Sequence, residues 1–237
     1  MEKHTINVPG VEEFARPRSR RDFFKALAVA GAGAAVGSTV FSRKAFAQQG
    51  GGDVGIANFA LTLEYLEAEF YSLALDAGVL SGDALGVVEN LASHEQQHVD
   101  AIIGLLEGAG AAPVEKPEFT FPSDAFSSQA SILDLAATFE PVGVGAYLGA
   151  APMIQSPDIL AAAGSIAGVE GEHVVAVNWL LGSVPWAAEA FPKALTKDEV
   201  LAAVAPFMGG KMMGTGGPPP GDMSPREAYR PSPLGPI

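Results

Sequence analysis

The chain contains no cysteine among its 237 residues. This absence excludes disulfide bonds, thiolate metal sites, haem attachment through cysteine and a rubredoxin-like electron-transfer module. Basic residues are scarce as well, since 14 Lys and Arg stand against 27 Asp and Glu, for a net charge of −13. Nucleic-acid binding requires a basic face that meets the phosphates, so we expect no nucleic-acid partner.

The first 47 residues are predicted to be a twin-arginine export signal and not part of the fold. Residues 19–25, Ser-Arg-Arg-Asp-Phe-Phe-Lys, resemble that signal, and an apolar run too short for a comfortable membrane span follows at 26–41. Ala45 and Ala47 place small residues where signal peptidase reads the chain. We therefore expect a periplasmic or otherwise exported protein that meets the twin-arginine translocase; an uncleaved N-terminal anchor is the alternative.

Four long segments after the signal have the apolar spacing of amphipathic helices. They cover residues 53–77, 83–107, 131–154 and 157–181, with turn-forming Gly or Pro between them. The link at 108–128 is long enough to run the length of a helix, so the third helix starts from the opposite end of the molecule. This pattern predicts an all-α fold, an antiparallel four-helix bundle with a long crossover between its second and third helices.

The C-terminal part of the chain is predicted to be a short helix followed by a tail. The helix covers 196–207, with Thr196 as N-cap and Glu199 completing a capping box, and closes a domain of residues 48–207. Residues 208–237 are dense in Gly and Pro, which is typical of a flexible segment.

Two Glu-x-x-His motifs carry the chemical signal of the sequence, Glu95 with His98 and Glu170 with His173. Positions i and i+3 share one face of a helix, so each motif projects a carboxylate and an imidazole side by side. One such pair is common on helix surfaces. The second pair, in the fourth predicted helix, indicates a repeat.

The repeat extends upstream of both motifs. Glu64 precedes Tyr71 by seven residues, and Glu140 precedes Tyr147 by the same distance. The midpoint between Glu64 and Glu95 falls at residues 79–80, inside the first predicted turn, and the midpoint between Glu140 and Glu170 falls at Gln155, inside the second. In an antiparallel hairpin, residues equidistant from the turn lie at the same height along the helix axes. The two glutamates of each hairpin are therefore predicted to lie side by side.

Facing hairpins would bury four carboxylates and two imidazoles together, and buried carboxylates need cations to offset their charge. Two divalent ions would balance the four negative charges. Oxygen and imidazole donors without sulfur suit iron in the first place, with manganese or zinc as alternatives. Bridging carboxylates would let both ions act on one small oxygen ligand. The predicted metal ligands are Glu64, Glu95, His98, Glu140, Glu170 and His173.

Residues 58–71, NFALTLEYLEAEFY, and 146–151, AYLGAA, resemble the ferritin-like superfamily, in particular the group related to plant desiccation-related proteins. The resemblance spans about residues 53–182 and implies a ferritin-like bundle with a dimetal site at the six residues named above. Rubrerythrin-type relatives share the Glu-to-Tyr spacing, so we predict Tyr71 and Tyr147 as catalytic residues beside the site; ordinary core aromatics are the alternative. Pro141 departs from a regular helix and either frees a turn beside Glu140 or moves Glu140 out of reach.

Several other acidic and histidine side chains near these residues are also considered as ligands. Glu67 is the best candidate for an additional ligand, although it and Glu64 can also be read as solvated surface acids. His94 is expected at the surface or next to a ligand, and Glu172 points elsewhere on its helix.

Three functions fit this pattern. The first is an exported dimetal oxidoreductase of the peroxidase, catalase or ferroxidase type, acting on peroxide, dioxygen or Fe(II). The second is a stress- or desiccation-associated structural or binding protein whose metals only stabilise the bundle. Metal storage is the third, and it would require a homo-oligomeric shell.

Overall fold

Four long helices account for most of the structure, a computed structural model that describes residues 52–183 and 190–209. Helix α1 covers Gly52–Asp76, α2 Gly82–Gly108, α3 Gln129–Ala150 and α4 Pro157–Leu180, and a short α5 covers Lys197–Val204. Single 3₁₀ turns follow α3 at Ala151–Met153 and α5 at Ala205–Phe207. No β-strand occurs in the described ranges, which confirms the all-α prediction. The predicted export signal and the predicted tail after residue 209 lie outside these ranges.

The helices form two hairpins, α1 with α2 and α3 with α4, as the sequence predicts. Gly78, with φ of 66°, ends the first helix in the left-handed conformation that glycine adopts without strain. In the second hairpin, the Ser156 hydroxyl accepts a hydrogen bond from the backbone of Ile159, and Pro157 occupies the first helical turn. Helix α3 continues through Pro141 to Ala150.

Asp53, at the start of α1, ties the two hairpins together at one end of the bundle. Its buried carboxylate accepts hydrogen bonds from the backbone N–H of Gln155 at 2.8 Å and of Ser156 at 2.7 Å. Gln155 and Ser156 are the two residues that precede α4, and Ser156 is its N-cap. The contact therefore fixes the turn before α4 with a side chain from a distant part of the sequence.

The crossover between α2 and α3 packs onto the bundle through its phenylalanines. The rings of Phe121 and Phe126 lie 5.8 and 5.7 Å from that of Phe70 in α1. Phe119 and Met208 form an isolated β-bridge that joins the crossover to the C-terminal segment. This pairing continues through Gly209, two residues into the segment predicted as a tail.

The segment before α5 lies against α3 because two glycines leave room for it. The backbone N–H of Leu195 donates to the carbonyl of Gly145 at 2.9 Å. A Cβ atom on Gly149 would stand 1.8 Å from the carbonyl oxygen of Leu195, so no other residue fits there without displacing the segment. Thr196 and Glu199 form the capping box predicted for α5, which is thereby confirmed.

Two apolar clusters fill the bundle, one toward each end. The first, here called the aromatic core, includes Phe70, Tyr71, Ile132, Phe139 and Phe207. The second, here called the aliphatic core, includes Leu61, Ile102, Leu106, Tyr147 and Ile166. In α2, α3 and α4 the predicted ligand residues fall between the two sets. In α1, Glu64 directly follows Leu63 of the aromatic core and stands three residues after Leu61 of the aliphatic core. A polar layer therefore lies where the two cores meet.

Candidate metal centre

The six predicted ligand side chains meet in this polar layer, deep inside the bundle. Water reaches almost none of their surface. The exposed fraction is 0% for Glu95, Glu140 and Glu170, 1% for Glu64, 2% for His173 and 8% for His98. Burying four carboxylates together is costly unless cations or protons offset their charge. Glu140 lies in the cluster although Pro141 follows it, so the proline does not move it out of reach.

One group of donors surrounds His98. Its Nδ1 atom lies 3.1 Å from Glu64 Oε2, 3.0 Å from Glu95 Oε2 and 3.2 Å from Glu170 Oε1. A single N–H can satisfy only one of these oxygens. Three carboxylate oxygens and an imidazole nitrogen within 4.8 Å of one another are instead an arrangement that can hold a cation.

The second group surrounds His173 in the same way. Its Nδ1 atom lies 2.9 Å from Glu95 Oε1, 3.2 Å from Glu140 Oε2 and 3.8 Å from Glu170 Oε2. These four residues again offer ligand atoms within 4.8 Å of one another. Each group thus centres on the histidine of one Glu-x-x-His motif, so the two groups correspond to the two halves of the sequence repeat.

Glu95 and Glu170 belong to both groups, and each directs one oxygen into either group. Three of these four oxygens, Glu95 Oε1 and both oxygens of Glu170, lack a hydrogen bond with suitable geometry to any described residue. Buried acceptors are rarely left in this state. Two divalent cations bridged by these carboxylates would satisfy all three oxygens, so the residues present fit such a pair.

Tyr71 and Tyr147 each hold a carboxylate of the opposite hairpin. The Tyr71 hydroxyl donates to Glu140 Oε1, and the Tyr147 hydroxyl donates to Glu64 Oε1. Burial, reinforced by these carboxylates, raises the pKa of both tyrosines well above their usual range, so they remain protonated donors. Each tyrosine thus fixes one carboxylate oxygen while the other faces the histidine. This contact makes them positioning residues, and the catalytic role stays a prediction.

Glu67 is a fifth buried carboxylate next to the layer, with 4% of its surface exposed. It lies outside both four-residue groups, although it was the best candidate for an additional ligand. Burial, with repulsion from Glu170, raises its pKa well above the ordinary value, which favours the neutral acid. Gly143 gives both carboxylates room, because a Cβ there would lie 3.1 Å from Glu170 Oε2 and 3.4 Å from Glu67 Oε1.

His94 contacts the far side of the His173 ring. Its Nδ1 atom lies 3.0 Å from His173 Nε2, and the two rings stack with centroids 5.2 Å apart. When Nδ1 of His173 faces a cation, its Nε2–H is the donor and His94 the acceptor. Such an outer partner fixes the tautomer and the orientation of a ligand imidazole. The sequence placed His94 on a neighbouring face but could not identify its partner.

We predict that His94→Ala weakens only the ion held on the His173 side. Loss of an outer partner typically lowers metal affinity by about 10–100-fold, whereas the group around His98 keeps all its donors. Competition with a chelator should resolve one weakened and one unchanged ion. Gln97→Ala, an exposed change on the same helix, is the control and should leave both affinities as they are. Equal weakening of both ions in His94→Ala would contradict the assignment.

Without metal, several side chains of the layer have pKa values well above their ordinary ones. Burial raises the pKa of Glu64 to about 7 and also raises the pKa of Glu170 well above its usual range. Burial also disfavours charged His98, but the three carboxylates close to its Nδ1 atom, those of Glu170, Glu64 and Glu95, overcome this and raise its pKa to about 12. The same balance raises the pKa of His173 to about 9. Protons therefore offset the buried negative charge in the metal-free protein, and ions must displace them.

We predict that the stabilisation of the fold by metal grows as pH rises from about 5 to 8. Glu64 and His98 have a pKa of about 7 and about 12, against ordinary values of 4.5 and 6.5. A raised pKa stabilises the metal-free fold below the ordinary value, and this contribution is lost as pH rises through the folded-state value. Metal binding, which releases protons, strengthens over the same range. Melting temperatures with and without metal at three pH values measure the effect, and a pH-independent difference would contradict it.

Comparison with known proteins agrees with this architecture. A family model described as ferritin-like domain matches residues 52–183, which include all six side chains of the layer. A solved structure, that of the conserved hypothetical protein rv2844 from Mycobacterium tuberculosis, is similar with a TM-score of 0.50 and 19% identity, over 59% of this chain and 96% of that chain. At this identity the likeness concerns the fold alone. No curated protein matches the chain.

Proposed function

The chain belongs to the ferritin-like domain family, and on this premise we propose that it is a dinuclear metal protein carrying out redox chemistry on a small oxygen species. The observation that supports the proposal most directly is the pair of shared carboxylates, Glu95 and Glu170, whose two oxygens face different imidazoles. A layer that held a single ion would not need two carboxylates divided in this way. Iron fits the donor set best, with manganese as the redox-active alternative. Zinc also fits the donors, but it has no redox chemistry and would suit only a structural role.

Each side chain in the layer has a distinct task in this proposal. Glu64 with His98 and Glu140 with His173 would bind one ion each, and Glu95 and Glu170 would bridge the two. When bound, a redox-active pair supplies two electrons that, with two protons, reduce one dioxygen molecule to hydrogen peroxide or one hydrogen peroxide molecule to two water molecules. The tyrosine hydroxyls keep the outer carboxylates oriented, and the two apolar cores limit access of bulk water to the layer.

We further propose that the protein acts after export. The twin arginines at 20–21 and the small residues at 45 and 47 support this proposal. The chain contains no cysteine for an electron-transfer centre of its own. A peroxidase cycle would therefore need an external electron donor, whereas dismutation of peroxide or oxidation of supplied Fe(II) would not.

The test is metal analysis of the purified protein combined with turnover. We expect about two iron ions per chain, and Fe(II) oxidation by dioxygen or peroxide that is faster than in protein-free buffer. Glu172→Gln, an exposed change beside the layer, serves as a matched control and should behave as the unaltered chain. Protein without metal, or metal-bound protein without turnover above buffer, would refute the redox proposal.

A structural role for the ions is the second candidate. It is supported by the origin of the six donors, which come from all four long helices, so that ions between them would link the whole bundle. Two bound ions and a higher melting temperature, without turnover, would favour this alternative over the redox function.

A further inference from the structure

The aliphatic core borders a cavity that is larger than the space of about 10 Å³ next to Leu66 and Phe139 in the aromatic core. It has a volume of about 40 Å³ and is lined by side chains of all four long helices, among them Leu63, Ile102, Tyr147, Ala163 and Ile166. At the other end of the bundle, phenylalanine rings pack with centroids 4.7 to 6.0 Å apart. The two ends are therefore packed differently, although the layer between them is nearly symmetric.

The lining of the cavity excludes water as its natural occupant. Among its lining side chains only Tyr147 bears a polar group, and that hydroxyl already donates to Glu64. A buried water needs about two to four polar partners, and apolar cavities that offer none stay dry and accept apolar ligands such as xenon. Hydrogen peroxide, which has several hydrogen-bonding groups to satisfy, is disfavoured for the same reason.

The volume limits the occupant to a few heavy atoms. A water molecule needs about 10–15 Å³ by this measure, and a cavity that accepts benzene has about 150 Å³. At about 40 Å³ the cavity suits a diatomic or triatomic molecule and is too small for an acyl chain. Phe59, Leu105 and Ile159 on its rim are only half-buried, which places that rim near the protein surface.

The position of the cavity connects it to the candidate metal layer. Tyr147 forms part of its wall and donates to Glu64 in the group around His98, and Leu63 in the wall directly precedes Glu64. Tyr147 thus contacts both the cavity and a carboxylate of that group.

We propose that this cavity is a binding site for a small apolar molecule and that it admits dioxygen, and not peroxide, to the metal layer. The second part rests on the proposed redox function, whereas the binding site does not. An apolar side pocket raises the local concentration of a weakly soluble gas beside the reacting centre. The cavity would thereby favour dioxygen over hydrogen peroxide as the oxidant that reaches the metal layer.

Xenon binding to the metal-loaded protein tests the site directly. Methyl NMR under xenon pressure should show saturable shifts at Ile102 and Ile166, which line the cavity. Ile132, equally apolar but buried in the aromatic core, should not shift. Ala163→Leu fills the cavity and should abolish the shift at Ile166, while Ala161→Leu, exposed on the same helix, should preserve it. Absence of saturable shifts in the unaltered chain would overturn the proposal.

Oxidation kinetics test the assignment to dioxygen. Ala163→Leu should slow oxidation of bound Fe(II) by dioxygen about fivefold, as expected when access is hindered, and leave oxidation by peroxide unchanged. Ala161→Leu should change neither rate. Metal content and circular dichroism establish that each variant folds, with Ala163→Val as a milder replacement if the leucine variant does not.

The outcomes of these experiments separate the two proposals. Equal slowing with both oxidants, or unchanged oxidation by dioxygen in a variant that no longer binds xenon, would overturn the dioxygen assignment. If neither oxidant reacts with the unaltered protein, the redox function fails, and the xenon result still decides whether the cavity is a ligand site.

Discussion

Glu170→Gln should lose both metal ions, whereas Glu64→Gln should lose only one. Glu170 directs Oε1 toward His98 and Oε2 toward His173, at 3.2 and 3.8 Å. The amide keeps the size of the side chain but removes its charge and one of its two oxygen donors. Both groups are then short of a ligand, and the four carboxylates no longer balance two divalent ions. We expect the metal content to fall from about two ions per chain to well below one.

Glu64 provides the comparison because it faces one group only. Its Oε2 atom lies 3.1 Å from His98, while its Oε1 atom is held by Tyr147. Glu64→Gln should therefore leave the ion on the His173 side in place, with about one ion per chain. Elemental analysis of both variants, beside Glu172→Gln as an exposed control, measures this. Loss of one ion in both variants would show that Glu170 does not bridge.

The helical pattern, the two Glu-x-x-His motifs and the repeated Glu-to-Tyr spacing together predicted the bundle and the six side chains that meet in the layer. Apolar spacing at three and four residues identifies the buried face of each helix. Equal distances from each turn then determine which residues of a hairpin lie level. Both rules act within a hairpin, so they predict Glu64 beside Glu95 and Glu140 beside Glu170 without knowledge of the other hairpin.

These rules could not predict the contacts between the two hairpins. The sequence pairs each tyrosine with the glutamate seven residues earlier, but in the structure Tyr71 donates to Glu140, 69 residues away. The contact of Asp53 with the turn before α4 and the stacking of His94 on His173 were not predicted for the same reason, since both depend on how the two hairpins face each other. Long-range polar contacts leave no periodic signal in the sequence, and only the assembled bundle identifies them.

Glu67 shows a further limit of the sequence-based reasoning. Its position three residues after Glu64 predicts a side chain on a similar face of α1, and the structure does bury it beside Glu170. Whether such a carboxylate is a ligand or a neutral neighbour depends on differences of a few ångströms. The space at Gly143 and the packing of α3 decide this, and neither is encoded in the spacing of the motif.

Removal of metal should lower the melting temperature by about 8–16 °C at pH 8. An ion present at about a thousand times its dissociation constant contributes about 4 kcal/mol to folding, and each kcal/mol is worth about 2–4 °C for a domain of this size. The effect should be large here because the ions would join all four long helices across the layer between the two apolar cores.

Calorimetry of metal-free protein, before and after addition of Fe(II) or Mn(II), measures this stabilisation. Mg²⁺ is the matched control ion, because it keeps its waters and binds poorly to buried imidazole-containing sites. Glu170→Gln protein should show little shift with any ion, since both groups lack a donor in it. An equal shift with Mg²⁺, or an undiminished shift in Glu170→Gln, would mean that the ions act elsewhere than between Glu95 and Glu170. A large shift confined to the unaltered layer would instead show that folding and metal binding are coupled through these two carboxylates.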